Sequence, residues 1–183
     1  MLRRTTSTRV PVQRRGLVAR LVTTLALASS LLAVPMSQTS AQAAPTVRHT
    51  GKVVKIVDGD TIDVRLSSGK VKRIRILGVD TPEVHGRTEC YGKKASAATK
   101  RLIPVGTKVR LTSDSTQDRT DQYGRWLRHV HRSKDNTDVS RWLLKKGYAR
   151  TFIWWDNPLK KAKTYRAAEA SAKKARRGLW RAC

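Results

Sequence analysis

Residues 55–83 read KIVDGDTIDVRLSSGKVKRIRILGVDTPE, and the fold is decided there. Asp58-Gly59-Asp60 is a turn between apolar runs, and Ser67-Ser68-Gly69 is a second. Thr61–Leu66 and Val71–Leu77 alternate in character. Ile62, Val64 and Leu66 fall on one face against Asp63 and Arg65, and Ile74 and Ile76 lie opposite Arg73 and Arg75. A period of two marks half-buried strands. Asp60, Asp80 and Glu83 sit at strand ends, and Arg75 sits mid-strand. Strand ends that return to one place gather residues far apart in sequence. Two carboxylates and a guanidinium gathered so are the parts that hold a divalent cation and a phosphate together.

The pattern continues on both sides. Residues 44–50 form an exposed lead-in to a first strand, Gly51–Val57. Gly78–Glu89 is a loop, stiffened at Thr81-Pro82 because proline cannot continue a ladder. Tyr91, Ala95, Ala98 and Leu102 recur at helical spacing within Glu89–Leu102, and Pro104 follows. Thr107–Thr112 and Arg125–His131 supply strands four and five. Helices follow over Asp138–Lys146, ended by Gly147, and over Leu159–Arg177, closed by Gly178, after which Leu179 and Trp180 pack back. The order βββ-α-ββ-α-α predicts an α+β, mainly β domain: a five-stranded OB-fold barrel with three helices. With neither internal repeat nor linker, residues 44–183 read as one domain.

Charge narrows the class of partner. Lys and Arg number 39 against 13 Asp and Glu, for a net +26. Residues 1–43 hold six arginines and no acid, then the apolar run Leu21–Val34, then Ala41-Gln42-Ala43. Basic, apolar, then small-x-small is a secretory signal, and the run is shorter than the ~20 residues of a membrane span. Gln13-Arg14-Arg15-Gly16-Leu17 leaves the export route open. Residues 44–183 then carry +20, which is +26 less the six leader arginines. Such a balance fits a polyanionic partner. The expectation is a secreted, extracellular monomer without membrane association after processing. Cys90 and Cys183 are an even pair in an oxidising compartment, which favours one disulfide over two free thiols. They lack the CxxC spacing of a metal site.

Four motifs resemble, in order, the staphylococcal nuclease (thermonuclease) family: VDGDT (57–61), RILGVDTPE (75–83), YGKKASAATK (91–100) and DQYGR (121–125). The resemblance covers about residues 50–180. It implies a Ca²⁺-dependent endonuclease that acts on DNA and RNA and leaves 3′-phosphates. Asp60, Asp80 and the backbone carbonyl of Thr81 would hold the calcium. Glu83 would align or deprotonate the attacking water. Arg75 and Arg125 would meet the phosphate, one bridging it and one nearer the leaving oxygen, and Tyr123 would touch the terminal phosphate. Calcium rather than magnesium is implied by the resemblance alone.

The chain departs from that pattern in places. Gln122 stands where the best-known member has a lysine, and the loop from Glu83 to Tyr91 is shorter. Phe152, Trp154 and Trp155 fall near a nucleotide-contacting tyrosine without aligning onto it, which leaves base stacking and core packing both open. His129 and His131 are expected on the surface, as are most of Arg73, Arg128 and Arg132. A reading from another class is a nucleic-acid-binding OB module without catalysis. Three carboxylates facing a polyanion speak against it.

Overall fold

The computed structural model describes residues 45–154 and 157–183. The secretory signal expected over residues 1–43, and Trp155, lie outside the described residues. Five strands close into a barrel: β1 (Arg48–Ile56), β2 (Thr61–Leu66), β3 (Val71–Ile76), β5 (Lys108–Thr112) and β6 (Trp126–Arg132). They neighbour one another in the order β1-β2-β3-β6-β5. All pairings are antiparallel except β3 with β6, where Arg75 stands opposite Leu127. The expected apolar faces fill the interior: Val53, Ile62, Val64, Ile74, Ile76, Leu111 and Val130 are fully buried. This is the expected OB-type barrel.

Three longer helices pack around it: α1 (Gly92–Leu102), α2 (Val139–Lys146) and α3 (Ala162–Lys174). The alanines expected to face inward on α1, Ala95 and Ala98, do so. Asp138 caps α2 by accepting from the Arg141 amide, and Gly147 ends it at φ 74°. Leu179 and Trp180 pack back as the one-turn helix α4 (Leu179–Ala182). Among the described residues no helix is long and apolar enough to cross a membrane.

Two features differ from expectation. The lead-in is not wholly free, because β1 begins at Arg48 and its first residues pair with β5, Arg48 with Thr112. A two-residue ladder joins β4 (Val79–Asp80) to β7 (Arg150–Thr151), with Asp80 opposite Arg150. That ladder fixes the loop leaving β3, and with it Asp80.

Cys90 and Cys183 are disulfide-bonded across a sequence separation of 93. In the chain-entropy picture so long a loop adds about 4–5 kcal/mol. Reduction should therefore move the denaturant midpoint down markedly, read by unfolding with and without a thiol reductant. An unmoved midpoint would deny the bridge a stabilising role.

The expectation of surface histidines fails at His129, which is buried on β6. Its Nδ1 lies 3.0 Å from the Tyr165 hydroxyl, and its Nε2 lies 3.0 Å from Asp114 Oδ2. Arg128 is buried too, donating to the carbonyls of Arg119 and Leu127, both at 2.8 Å. His129 is held inside by partners from two distant segments, and Arg128 by its NH1 bonds, while Arg128 Nε has no partner among the described residues.

His131 is mostly covered as well. Burial, then the Lys161 ammonium, pushes its imidazole down to about 4. Its 3.6 Å approach to Asp138 is therefore no ion pair at neutral pH, and Lys161 Nζ donates to Nε2 at 2.9 Å instead. A histidine depressed in the fold binds its proton first in the unfolded chain. Stability should thus fall as pH drops from about 6.5 through 4. Asp138 and Asp121, held below the usual carboxylate range mainly by hydrogen bonds that outweigh burial, add losses at still lower pH. Thermal midpoints across this range check it: His131→Gln should flatten the upper part of the fall, and an equally steep fall in that variant would contradict the assignment.

Candidate active site

The turn from β1 to β2 is built around its acids. Asp58 Oδ1 accepts from the amides of Asp60 at 3.0 Å and Thr61 at 2.7 Å, an Asx-type turn. Thr99 of α1 donates to the Gly59 carbonyl at 2.6 Å, so the helix anchors the turn. Gly59 is needed for a close approach: a Cβ there would lie 2.6 Å from Thr81 Oγ1. That approach lets Thr81 grip Asp60, whose Oδ2 accepts from the Thr81 amide at 2.8 Å and hydroxyl at 3.0 Å. Thr61 Oγ1 donates to Oδ1 at 3.1 Å. Asp60 is thereby buried at a fixed orientation.

Arg75 joins the pieces. It pairs with Thr61 across β2–β3. Its NH1 donates to the carbonyls of Ile76 at 3.0 Å and Val79 at 2.6 Å, and its NH2 to Asp80 Oδ1 at 3.1 Å. Its Nε lies 3.3 Å from Asp60 Oδ1. One guanidinium thus spans two carboxylates and two carbonyls. The balance is still negative. Burial pushes the Asp60 carboxyl above the usual range, with Arg75 and Thr81 opposing. Burial and then the Asp60 charge raise Asp80, although half its side chain meets water and is screened.

Oxygen donors, one of them buried and under-compensated, suit a hard divalent cation. Among the described residues no three acids, histidines or cysteines converge as a ready-made cage. A cation here would rest on Asp60, Asp80, the Thr81 carbonyl and water.

Arg125 approaches from the turn before β6. Asp121 Oδ1 accepts from the amides of Tyr123 at 3.0 Å and Arg125 at 2.9 Å, and Oδ2 takes Arg125 Nε at 2.7 Å. Asp121, inside DQYGR, positions the arginine. The guanidinium lies over the Tyr123 ring at 5.3 Å. Arg75, Arg125, Tyr123, Gln122, Phe152 and Trp154 line one cleft of about 490 Å³. Tyr123 and Trp154 are strongly exposed, and Phe152 sits beneath Arg75 at 5.9 Å. Of the two uses left open for these aromatics, core packing therefore fails for Phe152 and Trp154.

Glu83 stands apart from the Arg75 cluster. Its carboxylate is exposed, and among the described residues only its backbone is hydrogen-bonded: Glu83 N–H to Glu89 Oε2 at 3.1 Å, and Glu89 N–H to Glu83 O at 2.9 Å. Gly92 makes room, since a Cβ there would lie 2.4 Å from the Glu83 carbonyl. His85 Nε2 lies 3.1 Å from the Val57 carbonyl, which ties the same loop to the β1–β2 turn. Cys90 fastens its far end to the C-terminus. Nothing in the sequence marked Glu89 or His85, because both sit in a loop whose path no periodicity reveals.

The family model described as staphylococcal nuclease homologue matches residues 73–182. That span holds Arg75, Asp80, Thr81, Glu83, Tyr123 and Arg125 in the arrangement just described. The chain belongs to the staphylococcal nuclease family. It is 36% identical to a thermonuclease of Staphylococcus hyicus, over 72% of this chain and 76% of the relative. It is 33% identical to an uncharacterized protein of Methanocaldococcus jannaschii, over 72% of each. A prophage-derived endonuclease of Bacillus subtilis matches at 36% over 69% of this chain and 42% of its own length. The protein is a nuclease, a hydrolase that takes nucleic acid as substrate. Asp60 lies before the matched span, so its place in the site rests on its contacts with Thr81 and Arg75.

Proposed function

We propose that this nuclease is a secreted, calcium-dependent endonuclease of DNA and RNA that leaves 3′-phosphates. The observation that carries the proposal is Arg75. It bridges Asp60 and Asp80 and lines the same cleft as Arg125 and Tyr123. Calcium would be held by Asp60, Asp80 and the Thr81 carbonyl, and bound there it would polarise the scissile phosphate. With the two carboxylates so engaged, Arg75 can turn Nε–H and NH2 donors toward phosphate oxygens. Arg125, aimed by Asp121, meets the charge that develops on the leaving 5′-oxygen. Glu83 orients water for in-line attack and takes its proton as the new P–O bond forms and the P–O5′ bond breaks. Tyr123 contacts a neighbouring phosphate, while Phe152 and Trp154 offer faces for base stacking. Residues 1–43 direct export, and residues 44–183 act outside the cell as a monomer.

The test is incubation with single- and double-stranded DNA and RNA, in Ca²⁺, in Mg²⁺ and in chelator, with end-group analysis. Cleavage in Ca²⁺ that leaves 3′-phosphates is the expected result. Nucleic acid left intact in Ca²⁺ would return the protein to a non-catalytic binding role.

A further inference from the structure

The outer face of the barrel carries a row of cations that the cleavage chemistry does not use. Lys52 on β1 stands directly opposite Arg65 on β2 and Lys108 on β5. All three are exposed, and none has an ion-pair partner among the described residues. Directly opposed like charges destabilise a sheet. Two strand spacings place the three within about 10 Å.

The next row along the same face is built differently. There Asp63 stands between Arg73 and Lys55, and Arg73 donates to it at 2.8 and 3.1 Å. On the other side, Thr50 and Ser67 share a hydrogen bond at 2.8 Å. The fold thus separates its cations in one row and leaves them adjacent in the next. The unneutralised row lines a cleft of about 530 Å³ with Thr50, Ser67 and Ser133, and no carboxylate lines it.

We propose that Arg65, Lys52 and Lys108 form a second contact surface for the nucleic-acid backbone, which holds the polymer while another part of it is cut. The proposal rests on the nuclease reading and names how that substrate is held beyond the cleft. Asp60, just before β2, and Arg65 on it are five residues apart, roughly 17 Å at ~3.3 Å per residue. A polymer lying in the cleft can span that distance; a single phosphodiester cannot. The Ser133 hydroxyl is a further donor to phosphate, and the absence of an acid from the lining removes the element that would repel it.

The test compares the parent with Lys52→Ala/Arg65→Ala/Lys108→Ala on two substrates: a small nitrophenyl phosphodiester, and a single-stranded oligonucleotide of about 30 nucleotides, longer than one OB-fold site. The small diester should be hydrolysed equally by both. For the oligonucleotide, KM should rise about tenfold at low salt, and the slope of log affinity against log salt should shallow by about 2, three phosphates at ~0.7 each. An unchanged slope and KM, or equal losses on both substrates, would overturn the proposal.

A second variant separates a structural role. Lys52→Glu puts an acid between two cations, so it should raise the melting midpoint while weakening oligonucleotide binding. A raised midpoint with undiminished binding would make the row a mere surface repulsion. If the parent cleaves neither substrate, it is the nuclease reading that falls, and the binding slopes still decide the row.

Discussion

Replacing Arg75 by alanine should lower kcat/KM on nucleic acid by at least about 10²–10³-fold, the usual cost of one preorganised donor to a charged transition state. The same change should cost stability, because the guanidinium does structural work at four oxygens. It reaches Asp60, Asp80 and the carbonyls of Ile76 and Val79. Removing one partner of a buried pair leaves an uncompensated charge and costs about 3–5 kcal/mol. Here the charge left behind is on Asp60, already pushed above the usual carboxylate range by burial. The sign with pH follows. A raised carboxyl is relieved by protonation, so the loss should shrink as the solution is acidified. Denaturant unfolding of Arg75→Ala at neutral and mildly acidic pH checks both statements. A variant as stable as the parent at neutral pH would show that Asp60 does not depend on Arg75. Arg75→Lys should recover little, since a point charge cannot reach four acceptors in a plane.

Glu83→Gln should behave in the opposite way on stability. Its carboxylate is exposed and its hydrogen bonds run through the backbone. The unfolding midpoint should therefore stay within experimental error of the parent. Activity should fall by about 10²–10⁴-fold, the range for a positioned general base, and mainly in kcat, because glutamine fills the same space without accepting the proton. Equal cleavage rates would remove Glu83 from the chemistry. Comparing the two variants separates a group that holds the site together from one that only acts in it.

The barrel was legible because period-two alternation and two short turns leave few alternatives for Thr61–Leu66 and Val71–Ile76. Its closure was less so. The pairing of β3 with β6 and of Arg48 with Thr112 joins segments that no local pattern links. The β4–β7 ladder is too short to show a period, yet it holds Asp80. Asp60, Asp80 and Arg75 could be named because two acids at strand ends and an arginine mid-strand fall together in one short span, and Arg125 because DQYGR resembles a motif of the family. The buried His129 and Arg128 could not, since their partners Asp114, Tyr165 and the Arg119 carbonyl become neighbours only on folding. Phe152 and Trp154 read equally well as core or surface until the cleft placed them beside Arg75. The cysteines were the easier case: an even count, with export expected from the leader, pointed to the bond that closes the Glu83 loop onto Cys183.

The site stands or falls on whether Asp60 and Asp80 hold a cation that the cleavage requires. The direct measurement is the rate of single-stranded DNA cleavage as calcium is titrated into chelator-treated protein, for the parent and for Asp80→Asn. The parent should be silent without the cation and saturate as it is added, and Asp80→Asn, short of one charged ligand, should need at least about tenfold more. Full cleavage in the presence of chelator, or the same half-saturating calcium for both proteins, would contradict the assignment.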